Sequence, residues 1–383
     1  MKERILILDA DGTQTLPIAE VLYKNGYEVH GFYNHRLSYG YGCRYVSKKC
    51  LISYSEENYM QDILTYVKEQ QIVVLFPMSD RTAAFLSKNK VQLEKFVAFI
   101  SPDYTSFSLG YDKNSLMHVC LVNHVCHPRT IDLSDKETLI DESIFPALIK
   151  PNITTGGRGM TLVHSISEFN ERFPKIENQY GACHLQEFIK SGGRQLKVQL
   201  FVDKNTRLIC SSVQHKQRYY PENGGSSSCN ETILNKEVVN SCYSVLKAIH
   251  WVGFADFDLI EDPKDGLFKI MEINPRMPAC IKSSIKSGAN YALLYVDYAL
   301  GKPLKSFVSL PGYKLRHIGF EILWFIHSKS RFNTTPSWFK FWGRNMYYQD
   351  FAWNDPLPFF YGTIANIKKQ LSPSFRKQKS GLR

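Results

Sequence analysis

The chain has 383 residues, 44% hydrophobic and 22% charged, with 47 lysines and arginines against 36 acids for a formal net charge of +11. That is enough apolar material for two or three modest cores, and it excludes collagen-like, coiled-coil and disordered classes. Nine scattered cysteines, with no Cys-x-x-Cys pair, argue against a zinc site or a secreted disulfide framework and for reduced thiols in the cytoplasm. No apolar run approaches the roughly 18 to 20 residues of a membrane span, and the apolar segment Ile5 to Leu8 is far too short for a signal sequence.

From the N-terminus, Ile5 to Leu8 reads as a buried strand, Leu16 to Asn25 as an amphipathic helix closed by Gly26, and Glu28 to Tyr33 as the next strand. A helix around Asn58 to Glu69, a strand Ile72 to Phe76, a helix Arg81 to Ser87 and a strand Phe96 to Ile100 follow. Such alternation gives an open parallel sheet with right-handed crossovers over residues 1–105. Asp9, Asp11, Gly12 and Thr13 follow the first strand and resemble the nucleophile loop of haloacid dehalogenase-like phosphatases. Ser79 and Asp80 are the only candidate partners nearby, so this is the minor reading. As a plain strand-to-helix turn the loop still lies where ligands bind in parallel sheets, which puts Asp11, Thr13 and Thr15 at an acceptor pocket.

The phosphate-binding signals lie further along. Asp112 and Lys113 open a helix-like stretch to Asn123. The apolar run Ile144 to Ile149 delivers Lys150 straight into a loop with Thr154, Thr155, Gly156, Gly157, Arg158, Gly159 and Met160. Glycines let backbone N–H groups approach phosphate oxygens, and the threonines and arginine add donors, so the loop can close over a triphosphate. Residues 106–180 form this lid-bearing unit.

Within residues 181–305, Leu185, Gln186, Glu187, Phe188 and Ile189 lead to a strand Gln195 to Val202. Another strand, Arg207 to Val213, runs into a polar loop from Gln214 to Ser228. There Lys216 and Arg218 are either carboxylate ligands or a solvated basic turn, and His215 has no assigned role. Gly253 to Ile260 and Leu267 to Ile273 alternate apolar and acidic residues around an Asp265-Gly266 turn, the signature of a hairpin. It brings Asp256 towards Glu272 and Asn274, with Arg276 two residues beyond: hard oxygen donors for Mg²⁺ or Mn²⁺ beside a phosphate clamp.

The order Asp112-Lys113, Lys150 with its glycine loop, Glu187 to Ile189, then Asp256 with Glu272-x-Asn274-x-Arg276 resembles the ATP-grasp superfamily, of the carbamoyl-phosphate synthase and biotin carboxylase type, over about residues 1–305. The resemblance implies α/β and α+β architecture: a pre-ATP-grasp domain followed by a two-subdomain ATP-grasp fold. It implies that Lys113 and Lys150 contact ATP phosphates and that Gly156 to Met160 form the lid. Gln186 to Ile189 would then be the adenine hinge, and Asp256, Glu272 and Asn274 would hold the metal. Arg276 would stabilise the transferring phosphoryl group, making Arg276 and Lys150 the catalytic pair. The chain departs from the pattern at Gln195, where a histidine is common, at Lys197, where an acid is frequent, and at Cys280. Biotin carboxylases carry a catalytic glutamate at the position of Cys280, so its presence argues against that reaction.

Residues 306–383 differ in composition. From Tyr313 onward there are twelve lysines or arginines against three acids, a net of +9, together with four of the five tryptophans. Basic residues interleaved with aromatics, as in Trp338 to Arg344, suit an anionic membrane surface, making the enzyme peripheral to the inner face of the membrane. A layer packed on the enzyme with a solvated tail is the alternative, and nucleic acid is disfavoured because no recognised module is present. The expected activity is an ADP-forming carboxylate–amine ligation through an acyl phosphate, on an amino-acid or cell-envelope substrate. The alternative is an ATP-binding regulatory or carbamoyl-phosphate synthase-like protein without ligase turnover.

Overall fold

A computed structural model describes residues 2–371 except Ser53, Glu56, Lys136, Thr155, Asn223, Gly224 and Ser306. The N-terminal sheet has the order β3-β2-β1-β4, all parallel: β1 (Arg4–Leu8), β2 (Glu28–Tyr33), β3 (Lys48–Leu51) and β4 (Ile72–Pro77). Helices α1 (Thr15–Lys24), α2 (Tyr59–Gln70) and α3 (Asp80–Lys88) connect and cover them, followed by the short α4 (Lys90–Leu93). β1 reads Arg-Ile-Leu-Ile-Leu because both of its faces are covered, with Ile5 and Ile7 in one core and Leu6 and Leu8 in the other. The expected strand Phe96 to Ile100 is reduced to a single bridge between Val74 and Ala98, and the Ile100 N–H donates to Tyr295 Oη at 3.0 Å and not to a strand. The basic edge strand β3 has no apolar pattern and gave no sequence signal.

Helices α5 (Tyr104–Tyr111) and α6 (Lys113–Val122) lead into the second sheet, of order β5-β8-β6-β7. Its strands are β5 (Thr130–Asp132), β6 (Ala147–Pro151), β7 (Thr161–Val163) and β8 (Cys183–Glu187), with α7 (Ile166–Tyr180) packed on one face.

The third sheet has seven strands: β9 (Gln195–Val202), β10 (Leu208–Tyr220), β11 (Ser226–Ile233), β12 (Gly253–Glu261), β13 (Phe268–Asn274), β14 (Lys314–Arg316) and β15 (Met346–Tyr348). Their order is β13-β12-β9-β10-β11-β14-β15. One face is apolar: Leu196, Val198 and Leu200 of β9 and Ala255, Phe257 and Leu259 of β12 pack against α6 and α8 (Lys236–Ala248). The residues between them, Lys197, Gln199, Asp256 and Asp258, therefore share the opposite face. Helices α9 (Ile281–Lys286) and α10 (Tyr291–Ala299) follow the hairpin, and α10 packs on the N-terminal sheet.

Two segments differ from the sequence expectation. The polar segment Gln214 to Ser228 is mostly strand, because β10 runs on to Tyr220 and pairs with β11, whose serine-rich start carries no β pattern. The C-terminal extension does not simply lie against the enzyme: β14 adds to β11 antiparallel, and β15 adds to β14 parallel. Helices α11 (Ile318–His327) and α12 (Leu357–Leu371) complete it, and no helix among the described residues is long and apolar enough to cross a membrane.

Candidate active site

The hairpin β12/β13 fixes the acidic part of the site. Its register sets Asp256 across from Asn274 and Asp258 across from Glu272. Asp256 is fully buried; the side chains of Asp258 and Glu272 are 18% and 35% exposed, so the donor set opens outward at the Asp258–Glu272 end. Asp258 is the member that the sequence reading missed. A register shift between Asp258 and Leu259 sets this pairing, which counting outward from the Asp265-Gly266 turn does not give.

Asp256, the expected ligand, is buried and paired with a lysine. Lys197 on β9 places its Nζ 2.7 Å from Asp256 and 2.8 Å from Asp258, while Lys216 on β10 lies 2.8 Å from the other Asp258 oxygen. Asn274 Nδ2 donates to Asp258 at 3.0 Å. Burial pushes the Asp256 carboxyl up to about 6 against the opposing pull of Lys197. Burial would raise Asp258 as well, but Lys197 and Lys216 together hold it well below the ordinary carboxylate range. The buried Asp256–Lys197 pair thus underpins the more open Asp258, Glu272 and Asn274.

The lysines arrive from the other side. Asp112 caps α6 by accepting from Ser115 N at 2.8 Å, which sets Lys113 in the first turn. Lys113 Nζ donates to the Thr154 carbonyl at 2.8 Å and stands 3.6 Å from the Glu272 carboxylate, linking the lid unit to the hairpin. Lys150, at the end of β6, is buried and donates to Gln186 Oε1 at 2.9 Å. Burial pushes its ammonium down to about 8; Glu272 opposes this and Lys113 adds to it. His184 lies across from Lys150 in the register, and burial together with the two lysines keeps it neutral.

Beyond Lys150, Gly156, Gly157 and Gly159 have φ of 68°, 73° and 74°, backbone that other residues rarely adopt. Gly156 through Arg158 are exposed, with Gly159 and Met160 half-buried, while Thr155 lies outside the described residues. In the hinge segment, Gln186 is the acceptor for Lys150. Glu187 receives the Arg129 backbone N–H at 3.0 Å and Lys269 at 2.9 Å, Phe188 N donates to the Pro146 carbonyl at 3.0 Å, and Ile189 is buried. Arg276 pairs through Nε with Asp80, at the start of α3, at 3.0 Å. Arg218 is buried against Glu321 and takes no part in the site. Asp9, the candidate nucleophile of the minor phosphatase reading, is held by Ser79 and Arg81.

The donor chemistry fits a hard divalent cation: two carboxylates and an amide carbonyl, with the remaining positions left for phosphate oxygens. Among the described residues no three His, Cys, Asp or Glu side chains gather as a complete metal cage.

This fold and site resemble those of ATP-grasp proteins of the carbamoyl-phosphate synthase and biotin carboxylase type. Residues 119–306 match the family model of the carbamoyl-phosphate synthase L chain, ATP binding domain. D-aspartate ligase of Enterococcus faecium is 26% identical over 264 residues, covering 62% of this chain and 61% of that protein. The match thus spans under two thirds of that relative's length. Biotin carboxylase of Campylobacter jejuni superposes with a TM-score of 0.65 at 16% identity, covering 80% of this chain and 73% of that one. L-amino acid ligase of Bacillus licheniformis does so at 0.60 and 20% identity, covering 80% and 75%.

Proposed function

We propose that the chain is an ATP-dependent, ADP-forming carboxylate–amine ligase acting through an acyl phosphate. The observation that carries this is the 3.6 Å approach of Lys113 to Glu272, which joins the phosphate-binding lysines to the hard-oxygen donors in one cleft. The likeness to D-aspartate ligase supports a small carboxylate and an amine, at least one of them an amino acid, as substrates.

ATP is a substrate in this reading. Lys113 and Lys150 meet its phosphate oxygens, the loop Thr154 to Met160 closes over them and excludes water, and Gln186 holds the Lys150 ammonium in place. Gln186 to Ile189 border the adenine. Asp258, Glu272 and Asn274 would hold Mg²⁺ or Mn²⁺, with Asp256 as the buried support, and the bound cation neutralises phosphate charge. Arg276, steered by Asp80, faces the negative charge that develops as a substrate carboxylate takes the γ-phosphoryl group. The amine then displaces phosphate, forming the C–N bond. The protein works in the cytoplasm, with the basic aromatic extension against an anionic membrane surface and a cell-envelope precursor among its substrate classes.

Release of ADP measured over a panel of carboxylates paired with amines tests the proposal. Carboxylate- and amine-dependent ADP formation is expected. Nucleotide binding with no stimulation by any pair would instead favour a regulatory ATP-binding protein.

A further inference from the structure

Helix α12 is amphipathic in the wrong sense for a helix that only packs on its own protein. Its docked face is built from small or polar residues: the Pro358 backbone lies against Gly42, Gly362 fits against the Tyr39 ring so closely that a Cβ there would come within 2.2 Å, and Asn366 donates to Tyr39 Oη at 3.0 Å. Phe359 and Tyr361 are half-buried, and the remaining large apolar residues point away. Leu357, Phe360, Ile364 and Ile367 are 54%, 56%, 44% and 54% exposed, and their spacing of three, four and three residues lines them along a single stripe. By the 100° step of a helix this stripe lies roughly opposite Gly362.

The surroundings say what the stripe faces. The helix carries no acid and has Lys368 and Lys369 in its last turn. The remaining sequence adds Arg376, Lys377, Lys379 and Arg383, again with no acid, although these lie outside the described residues. Just before the helix, Trp353 is 90% exposed and continues through Phe351 and Phe359 to Phe360 in edge-on ring contacts. An apolar ridge with a tryptophan at one end and cations at the other matches a lipid surface. A second copy of the same helix would bring like charges together with no acids to pair them.

We propose that the α12 stripe, with Trp353, is a peripheral membrane-docking surface, its apolar side chains entering the acyl boundary and its lysines meeting anionic headgroups. This deepens the reading of the extension given above and is independent of the ligation chemistry. The four apolar residues are the entering part, and Lys368 and Lys369 are the electrostatic part.

The test is co-sedimentation of the full chain with phosphatidylcholine vesicles, with and without phosphatidylglycerol. The wild type is expected to pellet with the anionic vesicles, to release at high salt, and to lose at least about tenfold in affinity in the double variant Ile364→Ser, Ile367→Ser. Because both side chains are half exposed and outside the catalytic cleft, the variant should keep its thermal midpoint and its nucleotide binding. Wild-type protein remaining in the supernatant, or a variant pelleting like the wild type, would overturn the proposal. So would a dimer or an oligonucleotide complex that depends on the stripe while vesicles go unbound. Nucleotide binding in the same samples separates this outcome from failure of the ligase reading.

Discussion

Arg276 is held 3.0 Å from Asp80, so the residue beyond the β12/β13 hairpin is anchored to the first turn of a helix in the N-terminal domain. Asp80 lies between Ser79, which caps α3, and Arg81, which pairs with Asp9. The C-terminal ends of the N-terminal strands are thereby tied to the phosphoryl-transfer end of the cleft. Arg276→Ala is expected to cost roughly 10²–10³-fold in kcat, the usual loss for one preorganised charge partner. Asp80→Asn keeps the guanidinium but frees it, and about a tenfold loss in kcat with unchanged nucleotide affinity is expected. Equal effects on kcat and nucleotide affinity would show that Asp80 acts elsewhere.

Lys150 gives the site a pH dependence whose sign is fixed. Burial has brought its ammonium down to about 8 from an ordinary value near 10.5. Phosphate needs the protonated form, so nucleotide affinity falls as pH rises through about 8, by up to tenfold per pH unit at the limit. Lys150→Arg should remove that dependence, because guanidinium stays charged. The same shift acts oppositely on stability: between about 8 and 10.5 the unfolded chain binds more protons at this residue, so its contribution to stability rises with pH. Titration calorimetry with a non-hydrolysable nucleotide across this range measures the first effect, and urea unfolding the second.

The hairpin carboxylates already carry ammonium partners: Asp256 and Asp258 share Lys197, Asp258 also has Lys216, and Glu272 has Lys113. A free divalent cation must displace these partners and is drawn only weakly. A triphosphate instead takes up the charge of Lys113 and releases Glu272. Mn²⁺ titration should therefore show weak binding to the protein alone and at least about tenfold tighter binding with a nucleotide analogue present, a coupling of 1.4 kcal/mol or more. Glu272→Ala should remove most of the coupling. Tight Mn²⁺ binding by the nucleotide-free protein would refute this account.

The legible parts of the sequence were those in which one local rule settles the outcome. Residues 195–202 are the strand as read because polar and apolar side chains alternate from Gln195 to Leu200 and an apolar run finishes it, and Asp112 before Lys113 gives a helix start with its cap. Asp258 was passed over although it lies on the same strand face as Asp256, because choosing between them needs the cross-strand register as well as the alternation. The serine-rich β11 and the basic β3 were hidden because neither is stabilised by its own pattern; each is held by the neighbours it pairs with. Arg218 was open between a carboxylate ligand and a solvated basic turn, since only a residue 103 positions away reveals its buried partner.

Glu321, at the start of α11, accepts from Arg218 on β10 at 2.7 and 2.9 Å, from Arg316 on β14 at 2.8 Å, and from Ser228 on β11 at 2.9 Å. All three charged side chains are nearly fully buried, with 1%, 2% and 4% exposure for Arg218, Arg316 and Glu321. Taking two guanidinium groups out of water is tolerable only while the carboxylate between them is ionised and hydrogen-bonded. Glu321→Gln keeps the shape but strands two cations, and a loss of about 3–5 kcal/mol in unfolding free energy is expected. Replacing all three charged residues with apolar ones of similar volume should cost far less, since no buried charge is then left unpaired. Denaturant unfolding of the two variants decides it: similar destabilisation in both would mean that packing, and not charge compensation, joins the extension to the central sheet.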